Sequence, residues 1–213
     1  MINKNDTDRQ LDKAMDESGK KVEASLLQPR EGAGKYWWET FLRGHISEIN
    51  RRFSQAKALY ITAPAKAPVD LFSYIREAAL CFEIGRYLPA IILASHSVEL
   101  ILERDQRMQA SRALVRHDGE RVTLCSRNLV GARDLGLPVE ALLSPGEKLD
   151  QDTSIIFAAR RDRVAQGNVS DWFRAISEYL PTVEPDALDQ LEKAQRFVVT
   201  WFNNSPNVRA GEP

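Results

Sequence analysis

From Trp38 to Tyr60 the apolar residues Trp38, Leu42, Ile46, Ile49, Phe53, Ala56 and Tyr60 follow one another at steps of four or three. That rhythm sets them on one stripe of a helix of about 25 residues, and it does not suit a strand, whose side chains change face at every residue. Thr62-Ala63-Pro64-Ala65-Lys66-Ala67-Pro68 closes the helix, because each proline removes a donor and disfavours helical geometry in the residue before it.

The same reading carries on along the chain. A second helix starts near Val69 and turns Leu71, Ile75, Ala78 and Phe82 inward. Gly85 suits its C-cap, and Pro89 suits the first turn of the next helix. A third helix over about 89–109 is apolar nearly all round at Ala90-Ile91-Ile92-Leu93-Ala94, so it is expected to be central and buried. Asp118-Gly119 and the residues to Leu124 suggest a turn with a short extended piece, and Leu124 to Asp134 a short helix stopped at Gly136. A fourth main helix is expected over 151–165, ended by Gly167, and a last one after Pro181 and Pro185 with Leu188, Leu191, Ala194, Val198 and Trp201 on its apolar face. No repeat and no alternating ladder supports a sheet. The expectation is an all-α domain over 35–204, an up-and-down bundle of four to five helices, with a polar, mobile leader over 1–34 and a polar tail over 205–213.

Composition excludes several classes of function. No run approaches the ~18 apolar residues that span a bilayer, and Met1-Ile2-Asn3-Lys4-Asn5-Asp6 lacks the features of a secretory signal, so the expected location is cytoplasmic, with no membrane partner. Cys81 and Cys125 are the only thiols, and His45, His96 and His117 are far apart with no ligand spacing. Neither a metal nor a cofactor is expected. The net charge of −1 gives no global pull toward nucleic acid, yet 104–133 carries Arg104, Arg107, Arg112, Arg116, Arg121, Arg127 and Arg133 against Asp105, Asp118 and Glu120. This segment reads either as an anion surface or as a solvated face. Trp37, Trp38 and Trp172 could stack on bases or serve packing.

The stretch Arg160-Arg161-Asp162-Arg163-Val164-Ala165-Gln166-Gly167-Asn168 bears most directly on function. Together with the earlier hairpin Glu77-Ala78-Ala79-Leu80-Cys81-Phe82-Glu83-Ile84-Gly85-Arg86-Tyr87-Leu88-Pro89, which continues to Glu99, it resembles the HEPN superfamily of small helical ribonucleases and nucleotide-binding proteins over about 70–204. The resemblance implies a helix end at which an arginine steadies a scissile phosphate and a histidine five positions on moves a proton, in metal-independent cleavage through the RNA 2'-hydroxyl. It also implies a site often completed by a second subunit. Arg161 holds the arginine position, but the histidine position is Gln166, whose amide does not titrate near neutral pH. Asp162 stands where active relatives often carry asparagine, and its charge would repel phosphate.

No histidine follows His117 in the sequence, which leaves His96, three residues before Glu99, as the best displaced base. Arg160, Arg161 and Arg163 either bind an anion or pair with Glu99, Glu103 or Asp152. Glu99 reads better as a partner that orients Arg161 than as a catalyst, and Gln166-Gly167-Asn168 could be only a capped helix end. The leading expectation is a HEPN-like homodimer that has lost ribonuclease activity and binds RNA, a nucleotide or a protein as a regulatory module. The alternatives are a working ribonuclease of a toxin or defence system using His96, and a purely structural helical adaptor.

Overall fold

The structure is a computed structural model and describes residues 35–59, 69–111, 114–117, 121–168 and 176–205. Several expectations lie outside that range: the leader, Thr62–Pro68, Asp118-Gly119, Trp172, the tail beyond Ser205, and the side chains of Trp37, Trp38 and His117. The chain divides into two compact units, residues 1–51 and 52–213. In the first, helix α1 (Lys35–Ala56) begins, and Arg51 Nη2 pairs with Glu48 Oε2 at 2.9 Å one turn back. Its last turn passes into a 3-10 turn over Lys57–Leu59, before either proline.

The second unit is an all-α bundle. It is made of α2 (Val69–Glu83), α3 (Tyr87–Arg104), α4 (Gln106–Ser111), α5 (Ser126–Asp134), α6 (Ile156–Ala165) and α7 (Ile176–Asn204). With α1 this gives seven α-helices among the described residues, more than the four or five expected, because α4 and α5 are short accessories to the main helices. Two two-residue strands, β1 (Arg116–His117) and β2 (Arg121–Val122), pair antiparallel with Arg116 opposite Val122. No larger sheet forms among the described residues.

α3 is the centre of the bundle and packs against α2, α6 and α7. The expected inward residues of α2, Leu71, Ile75, Ala78 and Phe82, are all buried, and they meet Ala90, Ile91, Ala94 and Val98 of α3 together with Leu191, Ala194, Phe197 and Val198 of α7 in one core. Each large apolar side chain removed from water this way contributes roughly 1.5–3 kcal/mol.

The α2–α3 turn is closed as the glycine suggested. Gly85 takes φ 77°, its N–H donates to the Phe82 carbonyl at 2.9 Å, and the Arg86 N–H donates to the Cys81 carbonyl at 2.7 Å, a Schellman close. The same pattern ends α5, with Gly136 at φ 79° and the Leu137 N–H on the Ala132 carbonyl. A Cβ at Gly85 would lie 3.1 Å from Arg52 Nη1, which donates to the Glu83 carbonyl. Gly85→Ala is therefore expected to cost about 1–2 kcal/mol, from left-handed strain plus displacement of Arg52. Thermal denaturation reads this directly, and an unchanged melting temperature would contradict it.

Besides the end of α1, three helix boundaries differ from expectation. The helix anticipated over 89–109 breaks at Asp105, which is extended (φ −63°, ψ 122°) and caps α4 by accepting the Arg107 N–H on Oδ1 at 2.9 Å. The helix anticipated from 151 starts at Ile156. Before it, the Asp150 carboxylate takes the N–H groups of Asp152 and Thr153 into a side-chain turn, and Glu147 Oε1 accepts the Ile156 N–H at 2.5 Å. The last helix starts at Ile176 rather than after Pro181 and Pro185. Proline's fixed φ fits a helix, and the buried face that opens with Val183 and Ala187 holds the segment helical despite the lost donors.

Candidate functional site

The end of α6 faces α3 through ionic contacts. Arg161 Nη2 lies 2.8 Å from Glu99 Oε1, and Arg161 Nη1 lies 2.9 Å from Asp162 Oδ1. The first is an ion pair without hydrogen-bond alignment, so the buried Glu99 Oε1 is charge-compensated while accepting no hydrogen bond. The other oxygen of Glu99, Oε2, is 3.4 Å from His96 Nδ1, one turn back on α3. The His96 ring stands edge-on to Tyr74 of α2 with centroids 4.7 Å apart. Glu99 is thus the hub: one carboxylate faces both the motif arginine and the histidine that sequence reasoning named as the displaced base. For a neutral imidazole to donate to Glu99, the proton must sit on Nδ1, which leaves Nε2 as an acceptor.

Gln166 is not part of this hub. It is the exposed C-cap of α6, its Oε1 accepts from Asn168 Nδ2 at 3.3 Å, and Gly167 follows at φ 73°. The Gln166-Gly167-Asn168 stretch is built as a capped helix end. Arg163 is half-buried on the same helix.

Arg160 points elsewhere. Its Nη1 donates to Asp189 and its Nη2 to Asp186, both on α7. This corrects the expected partners Glu99, Glu103 and Asp152. Asp189 also accepts from Lys193 Nζ at 2.8 Å, and Lys193, only 2% exposed, donates in turn to Ser144 Oγ at 2.6 Å. Burial raises the proton affinity of the Asp189 carboxyl, but hydrogen bonds from Lys193 and Arg160 and their charges outweigh it and hold Asp189 below the usual carboxylate range. These α7 residues were missed in the sequence. Their signal was the spacing Asp186, Asp189, Lys193, three then four apart on one helix face.

The field at the site follows from these pairings. Around Arg161 there is one positive charge against two carboxylates, Glu99 and Asp162, before His96 is counted. Arg160 is matched by Asp186 and Asp189. Among these described pairings an incoming phosphate dianion would meet no surplus of positive charge. The basic segment is quenched in the same manner: Arg104 pairs with Asp70, Arg107 with Asp105 at 2.8 Å, Arg116 with Glu103 at 3.1 Å and Arg133 with Asp134 at 3.0 Å. Arg127 is exposed without such a partner among the described residues, and Arg112 and the side chain of Arg121 lie outside the described residues. Cys81 and Cys125 are free thiols, and among the described residues no cluster of three His, Cys, Asp or Glu side chains could hold a metal ion. No helix among them is long and apolar enough to cross a membrane.

Comparison with protein-family models, with curated proteins and with solved structures gives no match.

Proposed function

We propose that this chain is a HEPN-like helical module that does not cleave RNA and acts as a regulatory, protein-binding domain. One observation carries the reading: the guanidinium of Arg161, the group that would steady a scissile phosphate, is engaged by Glu99 and Asp162. The fifth position after it offers only the exposed amide of Gln166, which has no titratable proton to exchange with a 2'-hydroxyl. In this reading Arg160 and Arg161 act as cross-links that tie α6 to α7 and α3. The anion-binding version, with RNA or a nucleotide on Arg161, is disfavoured by the same carboxylates.

The test is incubation of the purified protein with labelled total RNA in EDTA, read on a denaturing gel, for wild type, Arg161→Ala, His96→Ala and Gln166→His. Wild type is expected to leave the RNA intact, and wild type and Arg161→Ala are expected to bind RNA and nucleotides equally weakly. Arg161→Ala is further expected to lower unfolding stability by about 1–3 kcal/mol, because it leaves the Glu99 carboxylate buried without its counter-charge. Tight RNA binding lost in Arg161→Ala would overturn the reading in favour of an anion site. Cleavage appearing in Gln166→His would support the HEPN-like descent of the helix end.

A second reading has its own support. His96 sits on the same carboxylate as Arg161, and in the tautomer that donates Nδ1–H to Glu99 its Nε2 is an acceptor, an arrangement suited to a general base oriented by a carboxylate. It calls for metal-independent cleavage by wild type that disappears in both Arg161→Ala and His96→Ala, the one pattern on the gel that would replace the first reading.

A further inference from the structure

Over 43–51 the side chains of α1 are open to solvent except for the half-buried Ile46, and Ile49, on the same apolar stripe, is 37% exposed. Leu42 and Trp38 continue that stripe toward the start of the helix. A helix of this length, with Gly44 in its middle, is marginal in water unless its apolar side is covered. By its contacts this part of α1 belongs to a compact unit with residues 1–34, not to the unit that holds the bundle. Whatever covers the stripe from within its own unit is therefore the chain that precedes it.

That preceding chain carries a matching stripe. Outward from Gly32, steps of 6, 4, 4, 3 and 4 lead back to Leu26, Val22, Ser18, Met15 and Leu11, and the same steps lead forward to Trp38, Leu42, Ile46, Ile49 and Phe53. Spacings of four and three set Leu26, Val22 and Met15 on one helical face, with Ser18 as its small polar rung, while Asp16, Glu17, Lys20, Lys21 and Glu23 fall on the other faces. Between the two stripes 28–34 holds Pro29, Gly32 and Gly34, a connection of the length usual between antiparallel helices. The mirrored spacing sets the register, whereas the need for a partner comes from the open stripe and the unit it belongs to.

We propose that residues 15–26 form a helix docked antiparallel on the open stripe of α1, with Leu26 opposite Trp38, Val22 opposite Leu42, Ser18 opposite Ile46 and Met15 opposite Ile49. Apolar contact at three of these rungs supplies the attraction, and the short serine leaves room for the isoleucine across from it. The polar faces of both helices stay in water. The inference rests on the 1–51 unit alone and is independent of whether the α6 end binds or cleaves RNA.

The test is hydrogen–deuterium exchange of the full chain, read by mass spectrometry. In wild type the amides of 15–26 are expected to exchange at least roughly tenfold more slowly than those of an unstructured chain. Val22→Glu is expected to speed exchange over both 15–26 and 38–49 by roughly tenfold or more, with α2 to α7 unchanged. Oxidation of a variant carrying Ser18→Cys and Ile46→Cys, with Cys81→Ser and Cys125→Ser, is expected to form a disulfide within one chain, because facing rungs bring the two Cα atoms within bonding reach. Amides of 15–26 that exchange at unstructured rates overturn the proposal, as does a Val22→Glu variant in which 38–49 keeps its protection. A disulfide found only between two chains overturns it as well, since the stripe would then be covered by a second copy.

Discussion

Asp105→Ala is expected to lower the unfolding free energy by about 3–4 kcal/mol, among the largest losses available from a single polar side chain in this fold. Asp105 is 6% exposed and its carboxylate accepts from four donors: the Arg107 backbone N–H at 2.9 Å, Arg107 Nε at 3.0 Å, Arg107 Nη2 at 2.8 Å and Trp201 Nε1 at 2.9 Å. Alanine removes the cap of α4, worth ~1 kcal/mol, and leaves the buried Trp201 indole N–H without an acceptor, at about 1–3 kcal/mol. Urea unfolding monitored by tryptophan fluorescence measures the loss, and a change under about 1 kcal/mol would show that the break at Asp105 is held by packing alone.

The same carboxylate sets an acid limit. Burial pushes its proton affinity up, but the hydrogen bonds from Arg107 and Trp201 and the Arg107 charge prevail and hold Asp105 below the ordinary carboxylate range. A carboxyl depressed in the folded state binds its proton more readily when unfolded. Its stabilisation is therefore complete above the unfolded value, about pH 4, and is lost as pH falls through the folded value. Asp189 acts in the same direction. Stability should accordingly be level above pH ~5 with respect to these two groups and fall below pH ~4, and Asp105→Asn should make that fall shallower. An equally steep acid limb in Asp105→Asn would place the linkage elsewhere.

Lys193→Ala is the second large effect, at about 3 kcal/mol. The lysine stem is buried in α7, and its ammonium bridges Asp189 and Ser144. Truncation leaves a cavity and deprives Asp189 of one of two cations. Lys193→Met separates the terms: it refills the volume and removes only the charge, and because Arg160 still serves Asp189, it is expected to cost about 1 kcal/mol. If methionine is as damaging as alanine, the ionic network rather than packing is what Lys193 contributes.

The parts of the fold that were legible in sequence are those whose causes are local. Gly85 and Pro89 announced the α2–α3 turn because left-handed φ and a fixed first-turn φ are properties of single residues. The break at Asp105 was not legible, since apolar spacing continues to the buried Met108 and the partner that holds the aspartate, Trp201, lies 96 positions away. The two prolines near the start of α7 were read as the end of a loop. Their local cost was visible, but the buried stripe from Val183 that outweighs it gains its value only when α7 packs against α3, α2 and the Val139–Leu142 turn.

The site divides in the same manner. A Glu99–Arg161 pair could be anticipated from two residue types and an expected helix contact, and His96 joins it through simple i, i+3 spacing on α3. Arg160's partners could not be anticipated, because its choice of Asp186 and Asp189 depends on how α7 is placed beside α6.

The Schellman turn between α2 and α3 also bears on how the chain folds. It joins two helices that bury their faces on each other after a connection of only a few residues, so this hairpin closes with little loop entropy. α7 docks on the same α3 only after the intervening chain has been drawn in, so its contacts are the long-range ones. On this ground the hairpin is expected to form the nucleus and α7 to dock later. Core substitutions at Phe82 or Ile91 should chiefly slow folding, whereas those at Phe197 or Leu191 should chiefly hasten unfolding.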